Sequence, residues 1–268
     1  MLFRSINQDI ISSPPVSISP NDTVTILFYT IVDEDILTEE RKIAQANFYL
    51  TTEGADPDDE IQKPVLVNSA NSWDGRVINL KYFVERDIEF SSAYAKNILQ
   101  RNKIELDSTE TALKPFTETK ILFDHFTTGL SYVADPRATF EYVQFPSETL
   151  KLKGGDCDDL SVAFSSLLES IGIQTAFVDY KSGDAVSHVN LLINTGLTPD
   201  EINLITINDK KIFVRKNADG IEQVWIPLET TSLTDFEDAW SIGADKFQKE
   251  AVEQLGLAKG TVEIVDIY

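Results

Sequence analysis

The 268-residue chain has a single cysteine, a single methionine and two histidines. One cysteine excludes an internal disulfide, so the framework that would argue for an oxidising compartment is missing and localisation stays open. Basic residues are scarce as well: 23 Lys and Arg against 44 Asp and Glu leave a formal charge of -21. Such a field repels phosphate backbones and anionic lipid, which argues against nucleic acid and membrane surfaces as partners. The longest apolar run, Val24 to Val32, falls well short of the roughly 20 residues a membrane helix needs. The opening MLFRSINQDIISS has no apolar signal-peptide core. The expectation is a chain without membrane insertion, its oligomeric state unspecified; the abrupt start into Ser12-Ser13-Pro14-Pro15 also fits a piece cut from a longer protein. No glycine-rich phosphate loop and no self-similar period is present, so nucleotide binding and repeat architectures receive no support, and no cofactor is expected.

What is present reads as two units. After a polar leader punctuated by Pro14, Pro15 and Pro20, Thr23 to Val32 is β-branched and aromatic enough for a buried strand. Ala46 to Thr52, Pro64 to Asn68 and Gly75 to Val84 are further strand candidates, the last because Ile78, Leu80, Tyr82 and Val84 alternate with their neighbours. These predict a small β-rich domain over residues 1–87. Its acidic loop, Glu53 to Glu60, lacks the ligand ladder of an EF-hand and is read as solvated. From residue 88 the pattern turns helical. Ser91 to Leu99 is one candidate; Lys114 to Leu130, with Phe116, Phe123, Phe126 and Leu130 at near-helical spacing, is a stronger one whose aromatic stripe belongs to the core. His125 within it receives no role. Pro136 ends the helical stretch, and an extended segment or turn is expected from Tyr142 through Phe145-Pro146 to Leu150.

The lone cysteine lies in Gly154-Gly155-Asp156-Cys157-Asp158-Asp159-Leu160, where a glycine pair gives way to a helix capped by Asp156 and stopped at Gly172. Unpaired N–H groups at a helix start favour thiolate. Asp156, Asp158 and Asp159 push the other way, so activation has to come from an imidazole. His188 is the candidate, 31 residues on. It follows a strand over Thr175 to Tyr180 and a turn at Lys181 to Asp184, and heads a strand His188 to Ile193. Glu229 follows a third strand, Glu222 to Leu228. Antiparallel strands whose ends line up over a helix N-terminus would assemble cysteine, histidine and carboxylate.

These residues together resemble the bacterial transglutaminase-like superfamily. The resemblance rests on Gly155-Asp156-Cys157-Asp158-Asp159, then a helix, Gly172, a strand, His188 and Trp225-Ile226-Pro227-Leu228-Glu229-Thr230-Thr231. Tyr132 to Pro136 and Val143 to Leu150 resemble that family's approach to its nucleophile, and Phe236-Glu237-Asp238-Ala239-Trp240 with Gly243-Ala244 resembles its tail. The match runs from about residue 90 to 268. It implies an α+β fold, a papain-like core over 88–268 with helices packed on an antiparallel sheet and the nucleophile at a helix N-terminus. Cys157 would be nucleophile, His188 general base and acid, and Glu229 the group that orients the imidazole. By analogy with papain-like enzymes the Cys157 N–H and Gln144 would hold the oxyanion, with Tyr142 or Tyr132 as phenolic alternatives. The family's third position is more often Asp. If Glu229 fails to reach His188, Asn190 or Asp184 is the substitute.

The function so implied is thiol-dependent acyl transfer or hydrolysis on carboxamide or peptide bonds. A peptide or protein, with cell-wall peptide among the candidates, would be the substrate. A second reading, from another class, is a binding or scaffold module whose thiol is idle, motivated by the carboxylates around Cys157. Zinc held by Cys157, His188 and a carboxylate has little in its favour, because structural sites use four Cys or His ligands and the chain has three such residues.

Overall fold

The structure is a computed structural model that describes residues 2–4, 10–26, 42–52, 57–134, 142–181 and 188–267. Packing divides the chain into two units, Met1–Ser72 and Trp73–Tyr268. The first holds a four-stranded antiparallel sheet of β1 (Leu2–Arg4), β2 (Ile10–Ser12), β3 (Lys42–Leu50) and β4 (Asp59–Val67), in the order β2-β1-β3-β4. The strands expected at 46–52 and 64–68 are the later halves of β3 and β4. Most of the expected strand at 23–32 lies outside the described residues, as does half of the acidic loop, whose Asp58 accepts a bond from the Thr52 hydroxyl at 2.7 Å.

The second unit is built on a five-stranded antiparallel sheet. Continuing along the chain after the short β5 (Ser131–Tyr132) and β6 (Gly154–Gly155), which pair parallel, it consists of β7 (Thr175–Tyr180), β8 (His188–Asn194), β9 (Phe213–Lys216), β10 (Glu222–Leu228) and β11 (Val262–Asp266). Their order is β11-β7-β8-β10-β9. The helices are α1 (Lys81–Arg86), α2 (Ile88–Arg101), α3 (Lys103–Ser108), α4 (Lys114–Phe126), α5 (Pro146–Leu152), α6 (Cys157–Glu169), α7 (Phe236–Phe247) and α8 (Gly256–Lys259), with a π-helical turn over Gln248–Glu253. An α+β fold with helices on an antiparallel sheet is what the residues implied.

Alternation in the strands decides which side chains meet which layer. Val189, Leu191 and Ile193 of β8 and Ile226 and Leu228 of β10 join the core under α6, with Leu160, Phe164, Leu167 and Leu168. Leu192, Trp225, Ala176 and Val178 join a second cluster with Phe247 and Ala251. The aromatic stripe of α4 is core as expected: Phe123 and Phe126 meet Phe164 at ring-centroid distances of 5.1 and 5.3 Å.

Two expectations are overturned. Gly75 to Val84 is not a strand: Val77–Asn79 is a 3-10 turn and Lys81–Arg86 a helix. The buried residues are Val77, Leu80, Phe83 and Val84, at helical spacing, while Ile78 and Tyr82 of the apparent alternation are 53% and 59% exposed. These residues share the core of the second unit. The extended run expected as far as Leu150 stops at Phe145, where Pro146 opens α5 and Glu148 accepts the Phe145 N–H at 2.8 Å.

Candidate active site

The site begins with a capped helix. The Asp156 side chain accepts the Asp159 N–H at 3.4 Å and Asp159 accepts the Asp156 N–H at 3.3 Å, a reciprocal cap that fixes Cys157 as the first residue of α6. The glycines before it are there for space. A Cβ on Gly154 would lie 2.8 Å from the Ser131 carbonyl of β5, and one on Gly155 would lie 2.5 Å from Asp159 Cβ, so the first glycine admits the pairing with β5 and the second admits the cap. Ser161, one turn into α6, donates to the Val189 carbonyl at 3.3 Å and shares a 2.8 Å bond with Thr230. One hydroxyl thus ties the helix start to the beginning of β8 and to the chain leaving β10.

Those are the places where His188 and Glu229 sit. His188 Nε2 and Glu229 Oε2 are 2.8 Å apart. Glu229 is 5% exposed, and its other oxygen accepts the Thr231 N–H at 3.1 Å and the Thr231 hydroxyl at 2.5 Å. Burial pushes the Glu229 carboxyl up, but the bond and charge of His188 and both Thr231 bonds outweigh it, so it stays below its usual value and ionised. The close approach of α7 helps to fix it: a Cβ on Gly243 would lie 2.7 Å from the Glu229 nitrogen, and that nitrogen donates to the Ala239 carbonyl at 3.2 Å. Glu229 therefore reaches His188 without help. Asn190 is not needed as a substitute, and Asp184 lies outside the described residues.

The Cys157 sulfur meets the backbone N–H of Val189, the residue after His188, and lies 3.7 Å from Asp158 Oδ1. With Nε2 engaged by Glu229, Nδ1 is the imidazole nitrogen left for the thiol. Burial pushes the Cys157 thiol up, Asp158 and Asp156 push it further, and the N–H groups of Val189 and Asp158 only partly offset them, so the resting group is the thiol. Asp158 behaves likewise: burial, the bond to Asp156 and the charges of Asp156 and Asp159 push its carboxyl up to about 10. Asp156, Cys157 and Asp158 bring their donor atoms within 4.8 Å of one another, the one such group among the described residues. The upward push on Asp158 from burial and from Asp156 and Asp159 makes it a weaker anionic ligand than a free aspartate.

The candidate oxyanion donors stand differently. Gln144 is tied to Asp159, its N–H at 2.7 Å and its Nε2 at 2.8 Å from the two carboxylate oxygens. Tyr132, in β5 opposite Gly155, is half-exposed; burial first and then the charges of Cys157, Asp156, Asp158 and Glu229 push its phenol up, so it remains an O–H donor facing the site. Tyr142 is 43% exposed. His125 is exposed on α4 against Tyr94 and outside this constellation. Sequence reasoning missed Asp159 as the anchor of Gln144, although its place three residues after the cap is the usual one for a reciprocal cap.

A thiol at a helix start beside a histidine–carboxylate pair is the arrangement of cysteine peptidases and acyl transferases. Residues 102–227 match the family model of the Transglutaminase-like superfamily. The match covers 126 of the 268 residues, just under half of the chain, and over that region the chain is similar to the superfamily. No curated protein matches it. Among solved structures it is similar to a candidate protease from Parabacteroides distasonis, at 14% identity and a TM-score of 0.33 over 57% of this chain and 36% of that one. It is also similar to a candidate cysteine protease from Cytophaga hutchinsonii, at 10% identity and a TM-score of 0.30 over 59% and 62%. Calcium-bound LapG of Legionella pneumophila is similar at 17% identity and a TM-score of 0.24 over 35% and 65%. The chain thus spans about a third of the Parabacteroides protein. Among the described residues no helix is long and apolar enough to cross a membrane.

Proposed function

We propose that the protein carries out thiol-dependent acyl transfer or hydrolysis on carboxamide or peptide bonds through Cys157, His188 and Glu229. The observation that carries this reading is the 2.8 Å bond between His188 and a buried, ionised Glu229, made where the Cys157 sulfur meets the Val189 backbone. His188 Nδ1 takes the thiol proton as sulfur attacks the carbonyl carbon. The carbonyl electrons move to oxygen, which the Cys157 N–H and the Tyr132 hydroxyl or the Gln144 amide hold. Collapse breaks the C–N bond, the leaving amine takes the proton from the imidazolium, and a thioester remains. Water returns the acid and an amine returns a new amide, with His188 acting as base each time. Glu229 stabilises the imidazolium that forms in both halves.

The substrate we propose is a peptide or protein, with cell-wall peptide in the same class. The net charge of -21 favours neutral or basic groups over acidic ones. One observation supports the second reading, an idle binding or scaffold module: burial and two carboxylates hold Cys157 as the thiol. Incubation with activated acyl esters and intact-protein mass analysis separates the two. Wild type gains one acyl group, on Cys157, while Cys157→Ala gains none and His188→Ala nearly none. Equal acylation of all three, or of none, contradicts catalysis.

A further inference from the structure

Behind the His188–Glu229 pair stands a side chain that the chemistry above does not use. Tyr180, the last residue of β7, is the register partner of His188, the first residue of β8. Its ring lies 6.1 Å from the imidazole, centroid to centroid, inclined by 33°. It is 3% exposed, in the cluster with Val178, Leu192, Trp225 and Phe247. The ring is itself held, because the Lys246 ammonium sits 4.4 Å from its centroid and bonds Glu250 Oε1 at 2.7 Å. The Asn190 amide is close enough to the Tyr180 hydroxyl to act on it electrostatically, but the two make no hydrogen bond of ordinary geometry.

An imidazole fixed at one nitrogen still has a freedom left. The Glu229 bond sets the position of Nε2, but the ring plane can turn about that bond and carry Nδ1 away from the thiol. A rigid surface against the ring removes that motion. A general base displaced by about 1 Å loses about a hundredfold in rate, so holding the plane has kinetic weight. We propose that Tyr180 is a positioning residue for His188, its ring holding the imidazole plane that the Glu229 bond alone leaves free to turn. The kinetic part of this inference rests on the thiol–imidazole reading above; the structural part does not.

Two measurements keep those parts separate. With only two histidines in the chain, and His125 exposed, nitrogen-15 spectra resolve the His188 ring. Wild type and Tyr180→Phe should show a His188 Nε2 proton exchanging slowly with water. Tyr180→Leu should lose it, and alkylation of Cys157 by iodoacetamide at pH 6 should slow about tenfold with the thermal midpoint nearly kept. Should Tyr180→Leu fail to fold, Tyr180→Met, apolar and without a ring, decides in the same way. A folded Leu or Met variant that keeps both the proton signal and the wild-type rate overturns the proposal. So does a Phe variant that behaves like Leu, which would assign the effect to the hydroxyl. If alkylation proves independent of His188 while the ring signal still collapses in the Leu variant, positioning stands and the thiol–imidazole reading falls.

Discussion

The two units show what burial adds to the same strand chemistry. β4 of the first unit is exposed at every position from Asp59 to Leu66, and among residues 12–26, 43–52 and 57–72 no apolar side chain is buried. β7 of the second unit is buried at all six positions, and β8 at all but His188. An antiparallel pair with one solvated face needs only alternation to form, whereas a catalytic constellation needs its side chains held by packing on both sides of the sheet. His188 and Glu229 sit at the ends of strands covered on both faces, and that cover makes a 2.8 Å bond to a buried carboxylate sustainable.

The comparison is broken most forcefully at Phe164, which is fully buried on α6 between Phe123 and Phe126. Phe164→Ala should lower stability by about 3–5 kcal/mol in urea unfolding of the second unit. Next comes Gly243→Ala, where the added Cβ meets the backbone at Glu229. We expect a loss of about 1–3 kcal/mol together with slower Cys157 alkylation, since the strain falls on the group that orients His188. Asp158→Asn sharpens the account through pH. The folded pKa of Asp158 stands above its unfolded value, so the stability linked to its protonated form is full at acid pH and lost as pH rises toward about 10. The asparagine variant lacks that loss, so its melting temperature at pH 8–9 should exceed wild type by a few degrees. A lower midpoint there would contradict the assignment. The smallest effect belongs to the first unit: Ile43→Thr, at a side chain 79% exposed, should move stability by no more than about 0.5 kcal/mol.

Legibility in the sequence follows the same division. β7 and β10 are read at their full bounds because a strand buried on both faces is a continuous apolar run closed by polar turns. The start of α6 is readable from Gly155-Asp156 and the carboxylate three residues later, and the order Cys157, His188, Glu229 from strand ends. Residues 75–84 are misread because Ile78, Leu80, Tyr82 and Val84 carry a period of two by composition, while the residues the core takes, Val77, Leu80, Phe83 and Val84, carry the helical one. Short segments offer both periods, and the partner surface selects between them. Pro146 reads equally as the end of an extended run or the first residue of a helix. Tyr180 gives no local signal. Only pairing 175–180 against 188–193 as a hairpin puts it opposite His188, and then only if the register is known.

The central claim is that an imidazole held by Glu229 activates a thiol that its surroundings otherwise keep protonated. The direct test is the second-order rate of Cys157 alkylation by iodoacetamide between about pH 5 and 8, measured in wild type and His188→Ala, against an ordinary thiol that titrates near 8.5. The account predicts a wild-type rate that persists well below that value and disappears in His188→Ala. Matching profiles, both rising only toward alkaline pH, would contradict it.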